Sequence, residues 1–361
     1  MKFSISYVML GMLLAKRAEG HQEVPCTSND IVVFGDSLSD MGNLFALTAG
    51  ALPPGPPYYA GRFTNGMVWV EYLTNLMELN MPAPHYNSVE NPGTNYYAIA
   101  GAASGDSPTV TWTPALTGTT TTTTLPANGL PLQTQDFLDN YGAVDCCSSE
   151  MLFVIWVGAN NFGLLGEGLN YKHIINNIKD SIEDLIGKAG ATKILVLNLP
   201  QLTNSPAGVG IYTSLFVNQT ISDGLPESIE MYNERLKDVL KEIDADNEGV
   251  NLIYADITPL LDEAAANPAK FGLAQDTGIP TLNEAALFTQ GSLEYLNVEN
   301  ALFFTEFIQL PHFTKLCNRS PHATIILCVE SYNTGKWLCS QYIIRLTVYN
   351  RSMHEDIKWM D

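Results

Sequence analysis

The sequence predicts an α/β fold, a mostly parallel sheet covered on both faces by helices. Three observations carry that expectation. Continuous apolar runs recur along the chain, as parallel strands buried on both faces require. Segments with helical spacing separate these runs, in the alternating order that a parallel sheet needs. Several runs stop at glycine and small polar residues, and sites in such sheets lie at the carboxyl ends of strands.

Taken in order, residues 31–34 (IVVF) read as the first buried strand, which runs into Gly35, Asp36 and Ser37. A helix or loop begins after Asp40, and the Pro/Gly-rich ALPPGPPYYAGRFTNG leads to an amphipathic helix around MVWVEYLTNLMEL. YYAIAGAAS, residues 96–104, reads as a short strand ending in small residues. Thr109 to Pro126 holds a run of six threonines, builds no core and is expected as an exposed loop. PLQTQDFLDNYG reads as a helix and MLFVIWVGANNF as a fully buried strand ending in a polar turn. Residues 171–189 keep helical spacing, with a glycine near their end. TKILVLNLP is a further strand, GLPESIEMYNERLKDVLKEIDAD a long amphipathic helix, and VNLIYADITPLL a strand followed by a turn.

The 361 residues, 46% hydrophobic and 16% charged, suffice for a large core in one domain or two smaller ones. Eighteen basic residues against 38 acidic ones give a net charge of −20, which repels phosphate backbones and anionic membranes. Nucleic-acid binding is thereby excluded from the expected functions. Near the start, FSISYVMLGMLLA is apolar but short for a bilayer, and Ala18, Glu19 and Gly20 follow it. Residues 1–20 are therefore expected as a signal peptide, and the protein as secreted and extracellular, without stable membrane insertion. Six cysteines lack any CxxC spacing, which argues against zinc and dithiol redox chemistry and leaves disulfide pairing open. Asn218, Asn318 and Asn350 each begin an Asn-x-Ser/Thr site, in keeping with secretion.

Three polar strand ends fall on one rim of the expected sheet: Gly35-Asp36-Ser37, Gly101, and Gly158-Ala159-Asn160. A serine hydroxyl attacks only when a base takes its proton, and the resulting oxyanion needs aimed N–H donors. Ser37 offers the hydroxyl, Gly101 an unhindered backbone N–H, and Asn160 a side-chain NH₂. Asp36 and Asp40 are expected to hold the turn through local hydrogen bonds.

FGDSLSDMGN resembles the first block of the GDSL family of serine esterases and lipases, also called SGNH hydrolases. PPYYAGRFTNGMVWVEYL resembles the segment that follows it in secreted fungal, bacterial and plant members, and the chain reads as the secreted fungal type. YYAIAGAAS resembles the second block, with its glycine at Gly101, and WVGANNF the third, with its asparagine at Asn160. The resemblance spans residues 30 to about 275. It implies a flavodoxin-like three-layer α/β/α sandwich, a Ser–His–Asp triad, no metal and no organic cofactor. Asn161 stands where the third block usually has Asp. The last block, Asp-x-x-His-Pro, is missing. Its nearest counterpart is ALFFTEFIQLPHFTK, which offers His312 as candidate base and Glu306 as candidate orienting acid. Gln309, three residues before His312, carries no charge to steady an imidazolium. The hydrolase domain is thus expected over 21–315. An atypical tail follows over 316–361, holding three of the six cysteines and read either as a divergent native end or as the product of a retained intron or a shifted frame.

The expected function is a secreted serine hydrolase that cleaves carboxylic esters through a Ser37 acyl-enzyme. Acetylated polysaccharides, lysophospholipids and short acyl esters are all compatible substrates. The alternative is a catalytically impaired homologue acting as a binding glycoprotein.

Overall fold

A computed structural model of the chain describes residues 30–87 except 54, 56, 57 and 65, then 95–112, 123–141, 151–162, 170–202 and 219–267, and strand segments beyond 302. Strand β1 (Ile31–Gly35) is followed by helices α1 (Asn43–Leu47) and α2 (Trp69–Leu76), strand β2 (Ala83–Pro84) and strand β3 (Asn95–Tyr96). A hairpin, β4 (Thr109–Trp112) and β5 (Thr123–Pro126), precedes α3 (Leu130–Tyr141). Next come β6 (Leu152–Trp156), the short α4 (Ala159–Phe162), α5 (Tyr171–Ala189), β7 (Lys193–Leu197), α6 (Gln219–Asp246), β8 (Asn251–Asp256) and α7 (Thr258–Ala266). Further on lie β9 (Phe303–Phe304), β10 (Phe307–Ile308), β11 (Ile326–Ser331), β12 (Lys336–Ile343) and β13 (Arg345–Tyr349).

Seven strands make one sheet in the order β13-β8-β7-β6-β1-β3-β2. All neighbours in it are parallel except β13, which runs antiparallel to β8 from Arg345 opposite Asp256 to Tyr349 opposite Leu252. An antiparallel edge on a parallel sheet is a common arrangement. Every residue of β1 and β6 is buried, as their unbroken apolar sequences require. The two faces are covered from opposite sides. Phe137 of α3 meets Phe34 and Phe153 edge-on at 6.1 and 5.3 Å, on one face. Trp156, three residues beyond Phe153 and so on the opposite face, meets Trp69 of α2 at 5.6 Å. The result is the three-layer α/β/α sandwich of the SGNH type, with the core on both sides of β1 and β6. Among the described residues no helix is long and apolar enough to cross a membrane.

Three elements differ from the reading of the sequence. The strand expected over 96–104 ends at Tyr96, because Tyr97 and Ala98 both donate to the one carbonyl of Val33 and so leave the ladder. The threonine segment is not wholly loop: its ends pair as the antiparallel β4 and β5. Leu125 of β5 is buried in a second small cluster with Leu44, Ile99, Ala100, Ala102 and Ala127. Finally, the turn expected after β8 is helix α7, with a proline in its first turn where the missing N–H is harmless.

At the carboxyl end of β7, Asn198 joins three strands. Its side chain accepts from Ile257 N–H at 2.8 Å and donates to Asp256 Oδ1 at 2.8 Å and Thr258 Oγ1 at 3.0 Å. Its carbonyl takes the indole N–H of Trp156 at 2.9 Å. Asn198→Ala leaves the buried Ile257 N–H without an acceptor, which costs about 1–3 kcal/mol. The fall is expected as a lower midpoint in urea with an unchanged slope, and an unchanged midpoint would show that this joint carries no stability.

Candidate active site

Beyond Gly35 the chain turns at once. Ser39 N–H donates to the Asp36 carbonyl at 3.0 Å, and Leu38 N–H to Asp36 Oδ1 at 3.0 Å. Ser37 sits within this turn, buried but for 4% of its surface. Two side chains on the α2 face of the sheet pin the turn. The Trp69 indole N–H from α2 donates to Ser39 Oγ at 3.1 Å, and the Tyr96 hydroxyl from β3 donates to the Ser39 carbonyl.

Asp40 then links this turn to the next. Its Oδ1 accepts Gly42 and Asn43 N–H, both at 2.7 Å, and its Oδ2 accepts Leu44 N–H at 3.2 Å. Those bonds satisfy the open amino end of α1. The same Oδ2 reaches Ala100 N–H at 2.8 Å, sixty residues away in sequence. Gly101 follows, with φ at +88°, a left-handed conformation that suits glycine. Ala102 comes next, and its carbonyl takes one hydrogen of the Asn160 side-chain NH₂ at 2.7 Å. The second hydrogen of that amide is not committed by this bond. Asn161 Oδ1 accepts Ser104 N–H at 2.9 Å, so a neutral amide serves where a carboxylate is usual. The turn that holds Ser37, the loop that holds Gly101 and helix α4, which holds Asn160, are therefore tied together by the Asp40–Ala100 and Asn160–Ala102 hydrogen bonds.

Asn43 reinforces the junction from beneath. Its NH₂ donates to the carbonyls of Tyr96 and Ala98, both at 2.8 Å, and its Oδ1 accepts Tyr86 N–H at 3.0 Å. This side chain stands inside FGDSLSDMGN, yet the sequence offered no sign of its partners.

Two buried carboxyls flank Ser37, and they differ. Burial lifts Asp36 from 3.8 to about 7, against backbone N–H bonds from Leu38 and from Asp36 itself, with the charge of Asp40 adding to the rise. Its Oδ2 is buried without a hydrogen-bond partner. Burial lifts Asp40 only to about 6, because four N–H groups favour its ionised form. Four N–H groups thus favour the ionised form of Asp40 more strongly than the bonds on Asp36 favour its own.

His312 and Glu306 lie outside the described residues, as do His21, His322 and His354. The two described histidines sit elsewhere. His85 follows β2, with its ring 4.4 Å from that of Tyr97, and His173 is on α5. Cys328 and Cys339 are opposite one another in the β11–β12 pair, and the other four cysteines fall outside the described residues, as do Asn218, Asn318 and Asn350.

The structure thus sets a buried serine in a tight turn at the carboxyl rim of a parallel sheet, with Gly101 and Asn160 on neighbouring segments of that rim. The description "GDSL-like Lipase/Acylhydrolase" belongs to the family model that matches residues 31–294, and the chain belongs to that family. A phosphatidylcholine-sterol acyltransferase of Aeromonas hydrophila is 34% identical over 210 residues, 56% of this chain and 53% of that protein. A GDSL esterase/lipase of Arabidopsis thaliana is 25% identical over 268 residues, 68% of this chain and 74% of that protein. A thermolabile hemolysin of Vibrio parahaemolyticus is 30% identical over 187 residues, 50% of this chain and 36% of that protein. The chain thus spans about half of the first relative, three quarters of the second and a third of the last. These relatives are bacterial and plant proteins and lend nothing to the narrower fungal assignment.

Because its pKa is higher in the fold than the 3.8 of an ordinary carboxyl, Asp36 adds stability below about pH 4 and loses it as pH rises through 7. Asp36→Asn keeps the acceptor for Leu38 and abolishes the titration. Between roughly pH 4 and 8 the wild type should lose stability relative to this variant, in urea melts run side by side. Parallel curves would show that Asp36 titrates normally.

Proposed function

We propose that the protein is a serine hydrolase of carboxylic esters, with Ser37 as nucleophile and Gly101 and Asn160 as oxyanion donors. The observation that supports it best is the path from Asp40 through Ala100 and Ala102 to Asn160. Tying those segments together favours the use of one hydroxyl, one glycine N–H and one amide NH₂ in the same acyl transfer. Ser37 Oγ adds to the ester carbonyl carbon while His312 takes its proton. The negative charge on the former carbonyl oxygen is met by Gly101 N–H and the uncommitted hydrogen of Asn160. Collapse expels the alcohol, which leaves with the proton from His312, and water then hydrolyses the Ser37 acyl ester by the same steps in reverse roles. Glu306 orients His312 in this scheme.

The name of the Aeromonas relative favours acyl esters of lipids among the compatible substrates, ahead of acetylated polysaccharides. We also place the mature protein outside the cell, on the strength of residues 1–20 and the three Asn-x-Ser/Thr sites, while Arg345–Tyr349, within the segment expected as a tail, pairs with β8 in the main sheet. One observation favours a second reading. The missing Asp-x-x-His leaves the base without its usual carboxylate, a loss that costs about 10⁴ in rate in such triads. On that reading the chain is an impaired homologue that binds its ligand.

Hydrolysis of p-nitrophenyl acetate and covalent labelling by a fluorophosphonate separate the two. Ser37→Ala and His312→Ala should each lose at least about 10³-fold in kcat, since triad members fail as a unit. Asn160→Ala should lose about 10²–10³-fold in kcat with little change in KM. A wild type as slow as Ser37→Ala, and unlabelled, would leave the impaired homologue standing.

A further inference from the structure

On the reading that Ser37 is the nucleophile, we propose that Gln133 of α3 is the residue that positions it, by standing in for a missing strand beside Gly35. In a parallel sheet each strand residue exchanges backbone hydrogen bonds with a neighbour. β3 ends at Tyr96, level with Val33, so the end of β1 outruns its partner on that side. Beyond that point the only backbone bond to Gly35 from this side, among the described residues, is Ile99 N–H to its carbonyl at 3.1 Å. The side-chain amide of Gln133 fills the gap. Its Oε1 accepts Gly35 N–H at 2.8 Å and its Nε2 donates to the Gly35 carbonyl at 2.9 Å. The remaining hydrogen on Nε2 goes to the Asn128 carbonyl at 2.7 Å. Gln133 is wholly buried, and both hydrogens of its amide are used.

The opposite side of Gly35 is equally tight. A side chain there would bring its Cβ to 2.4 Å from the Trp156 carbonyl oxygen, and φ is +155°. Gly35 is therefore held between the β6 backbone and the Gln133 amide. Ser37 is two residues further on, in a turn whose own bonds begin at Asp36. Displacement of Gly35 is carried directly into the place of the Ser37 hydroxyl. A misplacement near 1 Å of a reacting group costs about 10²-fold in rate.

Gln133→Met keeps the length and loses all three bonds. Thr134→Val on the same helix is a matched control: Thr134 is as deeply buried and bonds only the local carbonyls of Leu130 and Pro131. At a temperature where all chains are folded, Gln133→Met should lower kcat for p-nitrophenyl acetate about 10²-fold with KM within about twofold, while Thr134→Val stays near wild type. The Gly35 amide should exchange with solvent at least about tenfold faster in Gln133→Met than in wild type. A kcat within about twofold of wild type in Gln133→Met, or loss of equal size in Thr134→Val, overturns the positioning role. Should Gln133→Met not fold, the wild type decides. A Gly35 amide that exchanges as freely as an exposed turn amide shows that the clamp is absent, and slow exchange supports it. Activity in Ser37→Ala equal to wild type would instead overturn the hydrolase reading, and the exchange result would still judge the clamp.

Discussion

Asp40 gathers four backbone N–H groups onto one buried carboxylate, three from the amino end of α1 and one from Ala100. No neutral side chain offers that many acceptor positions in so small a volume. The helix that follows the nucleophile turn and the loop that carries Gly101 are consequently parts of one construction. Break the carboxylate and both lose their reference point, since buried N–H groups must find acceptors or pay about 1–3 kcal/mol each. Asn43 applies the same logic with an amide, tying α1 back to the carbonyls of Tyr96 and Ala98. The rim of the sheet is in this sense a frame of polar contacts set on an apolar base.

Asp36 shows the opposite economy. Its carboxyl is buried as deeply as that of Asp40 but is met by fewer N–H groups, those of Leu38 and of its own residue. Two ionised carboxylates around a buried serine would repel each other, and the weaker-bonded one yields its charge first. Ser37 therefore stands near a carboxyl that burial pushes toward its neutral form, Asp36, and near the hydrogen-bonded negative charge of Asp40 on the side facing α1. The partial charges of the α1 amino end and of Ala100 N–H neutralise much of it there.

Much of the fold could be read from residue patterns, and the reasons are physical. β1 and β6 are buried throughout and β7 at all but its first residue, so each had to be an apolar run, and their order with β8, α3, α5 and α6 followed from alternation. Helix α2 showed its stripe because only one side of it meets the sheet. Ser37, Gly101 and Asn160 stood out only together, by their order and shared rim, since a glycine or polar residue at the end of an apolar run is by itself routine. What stayed hidden depends on contacts between distant segments. That β3 stops at Tyr96 is decided by the Val33 carbonyl, which takes both Tyr97 and Ala98 and lies far off in sequence. A tract of threonines looks unable to pack, yet Leu125 at its end finds a pocket among Leu44 and Ile99. Gln133 read as one more polar residue on a helix, because a glutamine announces nothing of the peptide group it will imitate. His312 and Glu306 belong to the part of the chain where the pattern of strands and helices fades, and motif spacing alone suggested them.

The antiparallel pairing of β13 with β8 has a consequence for the order in which the protein is made. β8 leaves the ribosome long before Arg345 to Tyr349 exist, and synthesis proceeds at roughly 5–20 residues per second. For several seconds the nascent sheet exposes a row of unpaired N–H and C=O groups along β8, the kind of edge that recruits strands from other chains. Helix α7 leaves the end of β8 at once and does not pair along this edge. The nascent chain thus passes through a window in which a chaperone, or a second nascent copy, can compete for the place that its own late strand will fill.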